Sequence, residues 1–274
     1  MQYVKVTFAI RNQEQSDILI ALLSENGFDG FEESTDSLLA YIELPKFHPD
    51  ELRPVAESLG LNYDTETIPA QNWNALWESN FPPVIVEDFC TIRADFHNIH
   101  VTTPYEILIT PKMSFGTGHH ATTQLMMLMM KDLELSRKTV LDFGTGTGVL
   151  AILAEMLGAV NILAIDNDDW CVENAGENIA RNNCRQITVR KGSLEVSGER
   201  KTDLILANIN RHILLQYMPL LHGKLNVYGR LLMSGLLSED KDIIIKAATD
   251  AGFIFKNLKE QNNWIAILFV KHND

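Results

Sequence analysis

Three glycines at alternate positions, Gly144, Gly146 and Gly148, constrain this chain more than any other feature. A short apolar run, Val140 and Leu141, leads through the acidic Asp142 into them. An apolar helical pattern then extends to near Gly158, and a second apolar run, Ile162 to Ile165, stops at Asp166. Strand, glycine loop, helix, strand, acid is the layout of a nucleotide-binding βαβ unit. A ligand lying against backbone between a strand end and a helix start needs residues without a Cβ, and glycine also takes positive φ at little cost. The helix N-terminus leaves N–H groups free to face such a ligand. A carboxylate at Asp166 can accept both hydroxyls of a ribose.

Spacing separates two families of ligand. A dinucleotide fingerprint needs its third glycine three positions after the second, where this chain has Val149. An acid two residues before Gly-x-Gly-x-Gly is similar instead to motif I of the Rossmann-like, S-adenosylmethionine-dependent methyltransferases.

Composition narrows the class. The 274 residues allow one large or two smaller domains. Apolar runs fall short of the ~20 residues that span a bilayer, and the N-terminal Met-Gln-Tyr-Val-Lys-Val alternates like a strand and lacks a secretory apolar core. No membrane association is expected. Cys90, Cys171 and Cys184 are scattered and odd in number, which fits reduced thiols in a cytoplasm. A net charge of −13 opposes a broad basic grip on nucleic acid and suits a basic partner.

Residues 1–68 carry a pattern of their own. Tyr3 to Ile10 alternates as a strand, and Glu14 to Asn26 has a helical apolar stripe closed by Gly27. Phe28 to Glu33 and Leu38 to Leu44 suit strands, Asp50 to Leu59 a helix closed by Gly60, and Leu61 to Ile68 a last strand. The order β-α-β-β-α-β predicts a ferredoxin-like α+β domain. Residues 69–83 form a connector, with Trp73 and Trp77 on one face of a short linker helix between Pro69 and Pro82-Pro83.

Residues 84–274 make the second domain. Short β-like runs at 84–86, 90–94 and 107–110 precede Phe115-Gly116-Thr117-Gly118-His119-His120-Ala121-Thr122-Thr123. A methionine-rich helix follows over Gln124 to Leu133, with Thr122 and Thr123 as its caps and as candidate ligand contacts. The methionines suit core filling. No third ligand stands at a metal-binding spacing from His119 and His120, so no metal is expected. Strand candidates at 139–143, 161–165, 187–191, 203–209, 225–234, 252–258 and 263–271 predict a seven-stranded, mostly parallel sheet ending in an antiparallel hairpin around Gln261-Asn262-Asn263. Asn208 falls at the end of the fourth strand, where doubly wound sheets bind ligands.

Taken together, Phe115-Gly116-Thr117-Gly118, Thr122-Thr123, Asp142-Phe143-Gly144-x-Gly146-x-Gly148, Ile165-Asp166, Ala207-Asn208-Ile209, Ser234-Gly235-Leu236-Leu237 and the connector Trp73-Asn74-x-x-Trp77 resemble the PrmA-type methyltransferases of large-subunit ribosomal protein L-eleven. The resemblance runs nearly end to end. It implies an α/β, Rossmann-like methyltransferase domain, S-adenosylmethionine as cofactor, and methylation of the α-amino and lysine ε-amino groups of that ribosomal protein, held by the N-terminal domain. Apart from the resemblance, a monomer is expected. Carried over by position, Thr123, Gly144, Gly146, Gly148, Asp166 and Asn208 would contact the cofactor, and Asn208 would orient the target amine. Amino-methylating enzymes of this fold commonly carry Asn-Pro-Pro-Tyr there, and this chain keeps only the asparagine. His119 stands where the family loop usually has threonine, Ala121 where it has proline, and Ser193 where an acid usually sits near the adenine. The alternatives are a methyltransferase acting on RNA, on a protein glutamine or on a small molecule; a nicotinamide-dependent oxidoreductase, which Val149 opposes; and a non-catalytic binding module.

Overall fold

The computed structural model describes residues 2–34, 36–68, 81–112 and 114–272. The chain divides into two compact units, Met1–Phe81 and Pro82–Asp274. The expected linker helix, with Trp73 and Trp77, lies mostly outside the described residues.

The first unit contains β1 (Tyr3–Ala9), α1 (Gln13–Glu25), β2 (Gly30–Glu33), β3 (Ser37–Glu43), α2 (Pro49–Leu59) and β4 (Tyr63–Ile68). Its antiparallel sheet has the order β2-β3-β1-β4, so this unit is ferredoxin-like. Alternation along β1 sends Val4, Val6 and Phe8 into one core with Leu19 and Leu23 of α1 and Leu52 and Ala56 of α2. Local signals set the boundaries: Asn12 caps α1 by accepting the N–H of Gln15, and Gly60 ends α2 at φ +62°.

The second unit begins with a small sheet of order β5-β6-β7, formed by β5 (Val84–Val86), β6 (Cys90–Arg93) and β7 (Tyr105–Leu108). Helix α3 (Ala121–Lys131) follows, and its Met126, Met127, Met129 and Met130 are buried as core filling. The helix starts three residues earlier than expected. His120, not a threonine, is the N-cap, because its side chain accepts the N–H of Thr122.

The large sheet contains β8 (Thr139–Phe143), β9 (Val160–Asp166), β10 (Ile187–Lys191), β11 (Thr202–Asn208), β12 (Leu225–Leu237), β13 (Phe253–Gln261) and β14 (Trp264–Lys271). Its order is β10-β9-β8-β11-β12-β14-β13, with β14 antiparallel to both neighbours and the remainder of β8–β12 parallel. The chain runs outward from β8 to β10 and then returns to the other side at β11, which places the topological switch between β8 and β11. The final hairpin has the reverse of simple edge order: β14 inserts beside β12 and leaves β13 at the edge. Asn262 and Asn263 turn it with φ of 51° and 64°, the left-handed pair that matches strand twist in a two-residue hairpin. Between the strands lie α4 (Val149–Met156), α5 (Asp169–Arg181), α6 (Arg211–Gly223) and α7 (Lys241–Asp250). Leu214, Met218, Ile244 and Ala248 of α6 and α7 join Ile205, Leu231, Met233 and Phe269 of the sheet in one core.

Two asparagines on α5 and a third at its C-cap bind the end of β7 and the residues that continue it. Asn182 exchanges two hydrogen bonds with the backbone of Leu108, at 2.9 and 2.7 Å. Asn178 accepts from Thr110 N at 2.7 Å, and Asn174 donates to Thr110 O at 3.1 Å. Four helical residues rise about 6 Å and two strand residues about 6.7 Å. The step from Asn178 to Asn182 therefore nearly matches the step from Thr110 back to Leu108, while Asn174 and Asn178 share the backbone of Thr110. Asn178 also donates to Thr147 O at 2.9 Å, which ties the same helix to the glycine loop.

Beneath that loop, at the end of β8, Asp142 is 1% exposed. Its Oδ2 accepts from the Thr145 hydroxyl at 2.6 Å, and its Oδ1 has no partner among the described residues. Burial pushes this carboxyl up from 3.8 to about 7; the Thr145 hydroxyl opposes the shift and the Asp166 carboxylate adds to it. The folded protein holds a proton that the unfolded chain has already released, so stability falls as pH rises from about 4 to about 7. Asp142→Asn removes that loss. Its unfolding free energy relative to the wild type should shift in the variant's favour by on the order of 2 kcal/mol between pH 5 and pH 8. Denaturant titrations at the two pH values measure this, and a constant difference would mean an unshifted carboxyl.

Candidate active site

The carboxyl ends of β8, β9, β10 and β11 open into one cleft of about 720 Å³, lined by Gly144, Gly146, Asp166, Ser193 and Asn208 among others. A doubly wound sheet binds ligands at this position.

The glycine loop is held by close backbone contact. Gly144 and Gly146 have φ of +76° and +55°. A Cβ on Gly144 would stand 2.3 Å from Ile209 Cγ2, and one on Gly146 would stand 2.2 Å from Phe115 O. Neither distance leaves room for a side chain. Thr147 fastens the loop to the preceding segment, donating its N–H to Phe115 O at 2.9 Å and its hydroxyl to Gly116 O at 2.7 Å. Phe115 thereby becomes part of the cleft wall, with its ring half exposed. Gly148 starts α4 and packs against Ala175 behind the cleft; it does not line it.

Asp166 ends β9. Its Oδ2 accepts from Gly146 N at 2.9 Å and its Oδ1 from Asp168 N at 3.1 Å. These bonds aim the carboxylate, and each oxygen keeps a second lone pair for a ligand hydroxyl.

Asn208 ends β11 and is 9% exposed. Its Nδ2 reaches Thr123 Oγ1 at 3.4 Å, while its buried Oδ1 has no partner among the described residues. An orphaned acceptor at a cleft wall is an energetic liability that a ligand N–H would remove. Thr123 is fully buried behind the wall as the support of Asn208, and its neighbour Thr122 lines the cleft.

The two histidines part. His119 Nδ1 meets Thr117 Oγ1 and its Nε2 meets Pro82 O, both at 3.0 Å. His120 lines the cleft, its ring edge-on to Trp264 with centroids 4.7 Å apart and tilted against Phe115 at 5.4 Å. Among the described residues no group of His, Cys, Asp or Glu is arranged to hold a metal ion. Cys171 also lines the cleft. Burial, reinforced by the Asp166 carboxylate, raises its thiol pKa and keeps it protonated. It is therefore a poor nucleophile.

Sequence reasoning missed His120, Trp264 and Tyr217 as cleft residues. His120 was hidden by two threonines that better fit the usual cap preference, and Trp264 follows a polar hairpin turn far away in sequence. No local spacing marks Tyr217.

The residues present fit S-adenosylmethionine. The glycine cradle admits a ligand against the backbone, Asp166 retains acceptor capacity for a ribose, and Asn208 offers an unused acceptor for an amine.

Comparison with known proteins agrees. The family model described as "Ribosomal protein L11 methyltransferase (PrmA)" matches residues 13–272. A protein of Porphyromonas gingivalis named "Ribosomal protein L11 methyltransferase" is 41% identical, over 98% of this chain and 98% of its own length. One of the same name from Phocaeicola vulgatus is 39% identical, over 98% of this chain and 99% of its own. Among solved structures, the ribosomal protein L11 methylase of Lactobacillus delbrueckii subsp. bulgaricus superposes with a TM-score of 0.66 at 31% identity, covering 70% of this chain and 100% of that one. The chain belongs to the ribosomal protein L11 methyltransferase (PrmA) family.

Proposed function

We propose that this protein is an S-adenosylmethionine-dependent N-methyltransferase whose substrate is ribosomal protein L11, modified at its α-amino and lysine ε-amino groups. The observation that carries the chemistry is the buried, unpartnered Oδ1 of Asn208 in the same cleft as Gly144, Gly146 and Asp166. Family membership carries the substrate.

When bound, S-adenosylmethionine supplies a methyl group already activated by its sulfonium, so the protein need not furnish a nucleophile of its own. Asp166 holds the ribose, and the loop at Gly144 and Gly146 lets it lie against the backbone. The side chain of Asn208 accepts a hydrogen bond from the target amine and fixes the direction of its lone pair. Orientation of this kind supplies roughly 7–11 kcal/mol of a barrier. A lysine amine has a reference pKa of about 10.4 and must arrive neutral. The apolar wall of Phe115, Ile209 and Trp264 lowers that pKa by excluding water.

The ferredoxin-like unit is assigned to substrate recognition, and the chain to action as a monomer in the cytoplasm. A net charge of −13 suits a basic protein substrate and opposes a direct grip on RNA. No helix among the described residues is long and apolar enough to cross a membrane.

Three measurements test this reading. Asp166→Ala strands ribose hydroxyls without an acceptor, so calorimetric titration should show cofactor affinity reduced about 10- to 100-fold; wild-type affinity would remove Asp166 from the site. Asn208→Ala should lower turnover on ribosomal protein L11 by about 100-fold, the scale of losing one preorganised polar contact to the reacting centre, with the fold retained by circular dichroism. Undiminished turnover would refute its role. Deleting residues 1–68 should preserve cofactor binding and abolish methyl transfer to the ribosomal protein, followed by mass spectrometry. Full transfer after deletion would refute the recognition role.

A further inference from the structure

Away from the cleft, on the face of the large sheet that carries α3, two cations stand at one apolar hollow. At one level of the sheet the paired residues are Val140, Leu204, Arg230, Val270 and Ile254, running from β8 across to β13. Residues opposite one another in a ladder share a face. Arg230 is therefore the single charge in an otherwise apolar row, on a strand with a neighbour on each side. It lies four residues before Ser234, the partner of Asn208. That is about 13 Å along β12 from the level at which the cleft opens.

An irregularity of the edge strand supplies the second cation. The pairing of β13 with β14 steps from Phe255–Phe269 to Asn257–Leu268, which leaves Lys256 as the extra residue of a β-bulge. Bulges bend a strand and re-aim a side chain. Lys256 and Asn257 join Arg230 around a hollow of about 310 Å³, whose apolar lining comes from Met129, Leu133, Leu268 and Val270. Helix α3 stops at Lys131, and Leu268 and Val270 stay only partly covered. The fold uses neither cation. Neither side chain makes a hydrogen bond or an ion pair among the described residues, although the chain has 36 acidic residues. Asp132, at the rim, is taken by Lys259 at 3.4 Å, and Lys259 also donates to Leu128 O at 3.4 Å. The carboxyl end of α3 thus already has its counter-charge.

We propose that this hollow binds a small carboxylic acid with an apolar body, its carboxylate held by Arg230 and Lys256 and its chain laid against Leu133, Leu268 and Val270. A guanidinium presents its donors in a planar fork that matches a carboxylate. Charge pairing alone would suit any anion, but the apolar floor gains only from an apolar body. The volume has room for about ten water-sized groups, which commits the occupant to a free acid of that size and not to a protein surface.

Octanoate, an acid of that size, is the probe. Titrated into the isotope-labelled full-length protein, it should shift the backbone amide resonances of Asn257, Leu268 and Val270 to saturation. Octanamide, the same body without the charge, should bind at least about 10-fold more weakly. Acetate, the head without the chain, should bind at least about 100-fold more weakly. Arg230→Met keeps an apolar stem in the row and should weaken octanoate at least about 10-fold, and Lys256→Met about 3- to 10-fold. Should Arg230→Met fail to fold, Lys256→Met on the exposed bulge still measures the charge contribution. No saturable shift at those amides overturns the proposal. So does octanamide, acetate or inorganic phosphate binding as tightly as octanoate, or an octanoate affinity unchanged in the folded variants. No cofactor takes part in the titration, so its outcome is separate from the reading of the cleft.

Discussion

The backbone of the glycine loop runs against two other segments with no space between them. At Gly146 the Phe115 carbonyl occupies the place of a side chain, and at Gly144 the Ile209 side chain does the same. Phe115 comes from the segment before α3 and Ile209 from the segment after β11. The loop after β8 is therefore the point where chain regions distant in sequence are brought to contact distance. Such an approach is open only to glycine, and it fixes the width of the cleft before any ligand arrives.

The polar groups around that loop divide into two sets. Asp142 lies underneath, buried, and its environment favours the protonated form. Asp166 lies at the rim, where it aims at the loop N–H of Gly146 and still faces the cleft. Two carboxylates close to the same loop would repel if both were charged. Burial pushes Asp142 up to about 7, which relieves that repulsion below this pH, while Asp166 keeps a face towards the cleft. Asn208 completes the arrangement from the other side of the switch point, its amide nitrogen braced by Thr123 and its oxygen uncommitted.

Much of this was legible in the sequence because the signals were periodic or conformational. Alternation along Tyr3–Ala9 and the apolar runs at 139–143 and 161–165 located strands, and the glycines with Asp142 and Asp166 located the cleft. What was not legible depended on partners far along the chain. A histidine capping α3 was hidden because its ring nitrogen does the work usually done by a hydroxyl. Thr123 carried a family contact in the sequence, but its hydroxyl is turned towards Asn208. Ser193 stood out only as the absence of an acid, and its partner Tyr217 arrives from a helix on the next crossover. Nor do Asn174 and Asn178 of α5, with Asn182 at its C-cap, announce themselves as anything other than a solvated surface; only the fold shows the first two buried against the strand.

That row of amides has a consequence for solubility. Strand β7 is the outermost of its small sheet, and its continuation through Thr110 would otherwise offer unpaired N–H and C=O groups to any extended chain nearby. Exposed rims of this kind template intermolecular pairing. Here the asparagines of α5 act as a counterfeit neighbouring strand that cannot be extended further, because the opposite side of a helix carries no row of backbone hydrogen-bonding groups. Between the flanking Pro104 and Pro111, the edge is closed off by side chains rather than by another strand, and a growing aggregate finds little at that margin to add to.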